Sequence, residues 1–200
     1  MIPRRLTLAL LAAGPAAWLA ACSQESSTGT STSSPADPPI DTAQAYEASA
    51  QGAKGFTAGA LMSAHTVYVF FDPQCPHCGH LWQAAMPLLP RLKFVWAPVS
   101  LLGAKSLPQG AALLQATNPV EAMTAHEASL LAGQGGTTAS ANVPADVEAA
   151  IQGNTRLLNR LGAEAVPFIV ARHAVSGQIL THAGSMDTNA LAAFLGVSPT

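Results

Sequence analysis

A pair of cysteines that directly follows an apolar run constrains this chain more than any other feature. Residues 67–71, VYVFF, are β-branched and aromatic and carry no charge, which is typical of a strand covered on both faces. DPQCPHC follows, with Cys75 and Cys78 three residues apart. From residue 76 to about residue 91 the apolar positions recur at helical spacing. The pair therefore lies where a buried strand ends and a helix begins.

The remaining pattern alternates strands and helices, with one long helical stretch. Before the cysteines we predict a short helix over 42–53 and a turn or edge segment at 55–59. After them we predict a bend at Pro87 and a strand over 93–102, parallel to the first because the helix between them is a crossover. A helical insertion over 105–162 follows, then a hairpin of strands over 166–173 and 179–184 and a final helix over 187–195. Gly162 ends the last insertion helix, 146–161, and Asp187 caps the final helix.

Residues 1–21 have the layout of a secretory signal peptide. Two arginines near the start precede an apolar stretch of about 14 residues, and small residues precede Cys22. The stretch is too short to span a bilayer, and a Gly-Pro pair would interrupt a buried N-terminal helix, which is the alternative. Residues 22–40 are mostly small, polar or proline and predict a disordered tether. We expect a short N-terminal extension over 41–66 and the folded domain over 67–200.

The net charge and the predicted export limit the classes of function that fit this chain. With a formal net charge of −2, the chain lacks the excess of basic residues typical of a nucleic-acid-binding protein. Export would place the chain where disulfides form and persist.

The position of the pair predicts one reactive thiol and one buried thiol. Cys75 at the first turn of a helix lies beside unpaired N–H groups and the positive end of the helix dipole, which lower a thiol pKa. Pro76 suits the first helical position, and His77 can donate to the sulfur or carry a positive charge beside it. Cys78 lies one turn further in. We therefore assign Cys75 as the nucleophile and Cys78 as the resolving thiol of a redox-active disulfide, with His77 assisting.

Other uses of the pair fit the residues less well. A zinc site needs four ligands, and the local sequence with His77 or His80 offers at most three. Covalent haem attachment needs CxxCH, but Gly79 follows Cys78. A purely structural disulfide stays open as an alternative, although so short a loop stabilises little. We predict no metal and no cofactor.

The segments YVFFDPQCPHCGHLW and ANVPADVEAAIQGNTRLLNRLGAEAVPFIV resemble the catalytic domain of DsbG- and DsbC-type thiol:disulfide interchange proteins. The resemblance implies an α/β thioredoxin-like fold with the helical insertion before the cis-proline strand. It implies that Pro167 is cis and that its loop faces Cys75, so that Val166 and Pro167 bind an extended substrate peptide. A trans proline that begins an edge strand is the alternative. Expected partners are exported proteins with thiols or disulfides and a membrane redox partner that resets the dithiol.

LAAC, ending at Cys22, resembles the lipobox of bacterial lipoproteins. Lipidation would explain why the chain has an odd number of cysteines, and it implies a periplasmic protein anchored through Cys22. Ser23 after the cysteine implies the outer membrane. A free structural Cys22 is the alternative.

Two features differ from the isomerases of this family. Val166 stands where they have Thr before the cis proline. The segment before the first core strand is short, so we expect no dimerisation domain and a monomer. We expect a reductase or isomerase of protein disulfides. A DsbA-like oxidase and a non-enzymatic lipoprotein that retains the fold are the alternatives.

Overall fold

The computed structural model of the chain describes residues 37–199. Cys22, the predicted signal peptide and most of the predicted tether lie outside the described residues. The elements within them are, in chain order, α1 (Thr42–Gly52), β1 (Phe56–Gly59), β2 (Thr66–Phe71), α2 (Pro76–Ala85), a 3₁₀ turn (Met86–Leu88), β3 (Lys93–Pro98), α3 (Ser106–Gln115), α4 (Pro119–Leu131), α5 (Ala145–Arg160), β4 (Phe168–Arg172), β5 (Ile179–Ala183) and α6 (Thr188–Leu195).

The strands form one sheet with the order β1-β3-β2-β4-β5. β2 and β3 are parallel, and α2 is the crossover between them, as predicted. The other three pairs are antiparallel, including the predicted hairpin of β4 and β5. β2 is the middle strand of five, so the residues that follow it lie at the centre of one end of the sheet.

The core explains the uncharged sequence of β2, which is buried along its whole length. On one face Phe71 packs edge-on against Trp96 of β3, and Trp96 packs against Trp82 of α2 with ring centroids 5.0 Å apart. On the other face Tyr68 packs edge-on against Tyr46 of α1. Helices thus cover both sides of the strand, which removes any need for polar residues in it.

Two elements end earlier than predicted. α2 stops at Ala85 and a 3₁₀ turn replaces the predicted bent helix, because Pro87 has no N–H and its ring crowds the preceding turn. The strand predicted to reach residue 102 ends at Pro98, because its parallel partner β2 ends opposite, at Phe71. Residues 99–102 instead belong to the loop that leads to α3.

The domain begins before residue 67, where we predicted its start. β1 pairs with β3 at the sheet edge, and α1 contacts β4, β5 and α5. The last residues of the predicted tether are also fixed. Ile40 N donates to Arg160 O at 2.7 Å, and Arg160 Nε donates to Pro38 O at 3.0 Å. Ile40 is half-buried against the core, and this apolar contact holds the segment on α5. Nowhere in residues 37–199 is a helix both long enough and apolar enough to cross a bilayer.

Candidate active site

Cys75 is the N-cap residue of α2, just beyond the end of β2. Pro76 takes the first helical position, where a missing N–H costs no hydrogen bond. The turn that leads into the helix is closed by a hydrogen bond of 2.9 Å from Cys75 N to Asp72 O. The sulfur therefore lies at the helix terminus that the sequence predicted, next to the unpaired amides of the first turn.

The buried carboxylate of Asp72 holds this turn in place. Its Oδ1 accepts from Gln74 N at 2.8 Å and from Ser106 Oγ at 2.7 Å. Its Oδ2 accepts from Leu101 N at 2.7 Å and from Leu102 N at 3.0 Å. One side chain thus joins the turn before Cys75, the loop after β3 and the start of α3. This role of Asp72 was not predicted from the sequence.

Cys75 carries the more acidic of the two thiols. The hydrogen bond that the Cys78 side chain donates is the largest cause that lowers the pKa of Cys75, from 9.0 to about 6. Burial opposes it, while the N–H groups of Cys78 and His77, and last the charge of His77, lower the pKa further. At neutral pH Cys75 is therefore mostly a thiolate, the form that attacks disulfides.

Cys78 is fully buried one turn further along α2, and its N donates to Cys75 O at 2.9 Å. Burial raises the pKa of the Cys78 thiol well above its ordinary value, and the hydrogen bond to Cys75 and the charge of Cys75 raise it further. Cys75 thus has the lowered thiol pKa that a nucleophile needs, and Cys78 has the raised thiol pKa expected of a resolving thiol.

The predicted loop partner of Cys75 is in place. The peptide bond between Val166 and Pro167 is cis, and Val166 O lies 3.3 Å from Cys75 Sγ. Pro167 O accepts from Gly184 N at 2.8 Å, which fixes the loop to the end of β5. Two segments far apart in the sequence therefore meet at one end of the sheet.

The two histidines of α2, His77 and His80, are exposed, with ring centroids 6.1 Å apart. His77 acts on Cys75 through its backbone N–H more than through its charge. From the sequence we expected its side chain to contribute more than its backbone. Trp82 and Phe168 are buried.

Behind the cysteines lie two buried titratable residues of α4 that the sequence analysis missed. Thr137 N donates to His126 Nδ1 at 3.2 Å, so Nε2 carries the proton and donates to Pro73 O at 2.7 Å. Burial lowers the pKa of His126, which keeps this ring neutral. The ring thereby fastens α4 to the turn that precedes Cys75.

Glu127, the next residue of α4, is 1% exposed. Neither of its carboxyl oxygens has a hydrogen-bond partner among the described residues. A Cβ on Gly79 would lie 2.7 Å from Glu127 Oε2, so the missing side chain of Gly79 leaves room for the carboxyl group against α2. Burial and then the charge of Cys75 raise the pKa of Glu127 to about 8. A single acid among the small and apolar residues of HEASLL was the only sequence signal for this position.

The described residues show no metal-ligand cluster at this site, and neither the cavity between α1 and α5 nor the cavity beside α2 contains the cysteines. Among residues 37–199, no three His, Cys, Asp or Glu side chains are grouped so that they could hold a metal ion. A cavity of about 630 Å³ between α1 and α5 includes neither cysteine. A shallow cavity of about 490 Å³ adjoins the redox helix, where it is lined by His80, Gln83, Ala84 and residues 185–188. The second cavity therefore begins at the residue that follows Gly184, the hydrogen-bond partner of Pro167.

Comparison with known proteins supports the resemblance seen in the sequence. No family model matches the chain. It is 31% identical over 141 residues to the thiol:disulfide interchange protein DsbG of Pseudomonas aeruginosa, a match that covers 69% of this chain and 54% of that protein. It is 32% identical over 109 residues to DsbG of Escherichia coli, covering 52% of this chain and 42% of that protein. The chain thus spans about half the length of the curated relatives it matches.

Solved structures confirm the fold. A periplasmic thioredoxin-like protein from Salmonella enterica serovar Typhimurium superposes with a TM-score of 0.58 at 16% identity. The superposition covers 70% of this chain and 87% of that one. The α/β thioredoxin-like fold with a helical insertion before the cis-proline strand is therefore correct.

Proposed function

Because the matched part of this chain is a DsbG-type thioredoxin-like domain, we propose that the protein is a thiol:disulfide oxidoreductase acting on exported proteins. Cys75 and Cys78 would form its redox-active pair. The observation that carries the proposal is the contrast between the two thiols. Cys75, at the helix terminus, has a pKa of about 6, whereas burial raises the pKa of Cys78 well above its ordinary value. A purely structural disulfide has no need for this difference.

The reaction begins with attack by the Cys75 thiolate on a substrate disulfide. A sulfur–sulfur bond forms between Cys75 and the substrate as the substrate's own disulfide breaks, and one substrate thiolate leaves. Two outcomes follow. Cys78 can attack Cys75 and release a reduced substrate, or another substrate thiol can displace Cys75 and leave a rearranged disulfide.

Val166 and Pro167 would hold the substrate beside Cys75. An extended peptide can pair with main-chain groups that a cis-proline loop turns outward, as in strand addition. The distance of 3.3 Å between Val166 O and Cys75 Sγ supports this, because a peptide bound at the loop would bring its disulfide to the nucleophile.

Within this class we propose a DsbG-like reductase or isomerase, on the strength of the similarity to DsbG, rather than a DsbA-like oxidase. A stabilised thiolate favours the reduced pair, and the cellular direction then depends on the partner that resets it. Alkylating the thiols of cells at the moment of lysis separates the two roles. A mostly reduced pair supports a reductase or isomerase, and a mostly oxidised pair supports an oxidase.

We place the protein in the periplasm as a monomer, anchored through lipidated Cys22 and more specifically to the outer membrane. The signal-like residues 1–21 and the sequence LAAC support this location. Replacing Cys22 by Ser should move the protein from the membrane fraction to the soluble periplasmic fraction. An unchanged distribution would argue against the lipid anchor.

A trapping experiment tests the function itself. Cys78→Ser removes the resolving thiol, so substrates should accumulate on Cys75 as mixed disulfides that a reductant releases. Cys75→Ser with Cys78 intact is the matched control and should trap none. If Cys78→Ser traps nothing either, the domain is a binding lipoprotein that uses the fold without the chemistry.

A further inference from the structure

The end of the sheet farthest from Cys75 carries an apolar turn that the packing of the domain does not require. Residues 60–65 connect β1 to β2. At the tip of this turn Leu61 is 67% exposed and Met62 is 96% exposed. Surface turns usually consist of glycine, proline and small polar residues. Adjacent large apolar side chains that face water mark a surface at which something else binds.

The turn is fixed against the start of β3. Ser63 Oγ donates to Arg91 O at 2.8 Å, and Lys93 N donates to His65 O at 3.1 Å. The apolar tip therefore has a defined place beside two basic residues, Arg91 and Lys93. We call residues 60–65 together with Arg91 and Lys93 the basic turn.

No acidic side chain of the surrounding segments offsets these charges. Arg91 is exposed, Lys93 is half-buried, and His65 adds a third basic side chain. The segments that form this end of the sheet contain neither Asp nor Glu: 59–66, 86–93 and 196–199. In the part of the chain that the structure describes, neither Arg91 nor Lys93 forms an ion pair. The basic turn thus combines an apolar tip with uncompensated positive charge.

The basic turn and the active site lie at opposite ends of the molecule. Thr66 and Lys93 pair at the start of the parallel strands β2 and β3, whereas Cys75 follows the other end of β2. The six residues of β2 separate the two ends by about 20 Å. The acidic residues Asp41 and Glu47 belong to α1, which packs on the face of the sheet opposite to α2.

The chain enters the domain at the end that carries the basic turn. Glu47, in the middle of α1, pairs at 3.1 Å with Arg172, the last residue of β4, which lies level with the start of β2. Lys54 follows α1 and lies at the other end, where its N donates to Asn154 Oδ1. Asn154 in turn donates to O of Pro98, the last residue of β3. Hence α1 begins near the basic turn and runs toward the active-site end.

We infer, on the basis of the lipid anchor and location proposed above, that the basic turn binds the surface of an anionic phospholipid bilayer. Leu61 and Met62 enter the headgroup region, and the cations of Arg91 and Lys93 interact with lipid phosphates. The domain then stands with Cys75 on the side away from the bilayer, where exported proteins can reach it.

The small size of the tip favours a bilayer over a protein partner. Each partner in a stable protein complex buries roughly 800 Å², far more than two side chains provide. A fluid bilayer needs no complementary pocket, so two protruding apolar side chains and adjacent cations suffice for a contact that a lipid anchor reinforces.

Vesicle binding without the anchor tests the inference. The protein is the chain without residues 1–21, and Cys22→Ser prevents lipidation. It is mixed with vesicles of phosphatidylcholine, alone or with an equal amount of phosphatidylglycerol, and the bound fraction is measured by sedimentation. At low salt the affinity for the anionic vesicles should be at least about tenfold higher, and this preference should fall as the salt concentration rises.

Two double variants separate the apolar and the charged parts of the basic turn. Leu61→Ser with Met62→Ser removes the apolar tip, and Arg91→Gln with Lys93→Gln removes two cations. Each pair should weaken binding to the anionic vesicles by about tenfold or more. Reaction of Cys75 with a small aromatic disulfide shows that each variant is folded.

The matched controls make the same changes at the active-site end. Leu101→Ser with Leu102→Ser alters two other exposed leucines, and Lys54→Gln with Lys105→Gln removes two other exposed cations. Both should bind vesicles as the parent does. Equal losses in the controls, or equal affinity of the parent for neutral and anionic vesicles, would overturn the inference. So would a parent dimer that binds no vesicles and that the basic-turn variants convert to a monomer, because the turn would then join two copies of the chain.

Fluorescence shows which end of the domain meets the bilayer. Met62→Trp places an indole at the tip, and Leu102→Trp places one at the active-site end; the native Trp82 and Trp96 are buried. On anionic vesicles that contain brominated lipid, Met62→Trp should be quenched and Leu102→Trp should not. Equal quenching would contradict the orientation. If the parent binds vesicles but Cys75 does not react with the aromatic disulfide, the oxidoreductase function fails while the membrane contact stands.

Discussion

Two substitutions of Cys78 test which group keeps Cys75 ionised. The largest contribution to the low pKa of Cys75 is the hydrogen bond from the Cys78 side chain, ahead of the helix amides and the charge of His77. Cys78→Ala removes this donor. Cys78→Ser keeps an O–H donor of similar size at the same place. Each variant leaves Cys75 as the one thiol of the pair, and Cys22→Ser in all of these proteins makes it the single sulfur that titrates.

The expected magnitude follows from the structure. The pKa of Cys75 falls from 9.0 to about 6, which corresponds to about 4 kcal/mol in favour of the thiolate. A hydrogen bond to a charged group contributes about 1.5 to 3 kcal/mol, so its loss in Cys78→Ala should raise the pKa of Cys75 by about 1 to 2 pH units. Cys78→Ser should stay near the parent. His77→Ala keeps its backbone N–H and should raise the pKa less than Cys78→Ala does.

The assay is the far-ultraviolet absorbance of the thiolate as a function of pH, with the matching Cys75→Ser protein as background. The reasoning is refuted if Cys78→Ala and Cys78→Ser titrate together near the parent pKa, because the helix amides would then suffice. It is also refuted if His77→Ala gives the largest rise, because the exposed imidazolium would then dominate.

Two further expectations concern stability. Because the folded-state pKa of Glu127, about 8, lies above its ordinary 4.5, its contribution to stability is present below pH 4.5 and is lost as the pH rises through 8. Urea unfolding of the reduced proteins should therefore give Glu127→Gln and the parent the same unfolding free energy near pH 4. Above pH 8, Glu127→Gln should be more stable by roughly 4 to 5 kcal/mol. A difference that does not change with pH would contradict the raised pKa. Asp72→Ala removes the acceptor of four hydrogen bonds, of which that from Ser106 Oγ is buried and the three from backbone N–H groups are partly buried. It should lower the unfolding free energy by about 3 kcal/mol, against about 1 kcal/mol for Asp187→Ala, which removes an exposed helix cap; equal losses would contradict the role of Asp72.

The sequence predicted the elements whose signals are local. An uncharged β-branched run predicted β2, and Asp187, whose Oδ1 accepts from Ala190 N at 2.9 Å, predicted the start of α6. The C-terminal limits of α2 and β3 were wrong for different reasons. Pro87 acts within one turn, and its effect was underestimated, whereas β3 ends where its partner ends. The end of a strand depends on pairing, which hydrophobic pattern does not encode.

The site was predictable to the extent that its residues lie in short motifs. Cys75 and Cys78 follow from spacing and helix position, and the cis bond at Pro167 followed from family resemblance. Asp72 and Glu127 were missed because their importance comes from which groups they meet across the fold. Periodicity indicates which face of a helix is buried, but it does not distinguish a buried carboxyl that has four donors from one that has none.

The helical insertion, which the sequence presents as an addition to the fold, forms the back of the active site. Trp82 of α2 donates to Thr124 of α4 at 3.3 Å, His126 holds the turn before Cys75, and Glu127 lies against Gly79. The groups that lower the pKa of Cys75 all come from the first turn of α2. The largest cause of the raised pKa of Cys78 is burial, to which α4 contributes; the hydrogen bond to Cys75 and the charge of Cys75 come next, and the charge of Glu127 last. Changes in α4 should therefore alter the resolving step more than the attacking step. Two proteins with the same CPHC sequence and different insertions would then attack substrates alike and release them at different rates.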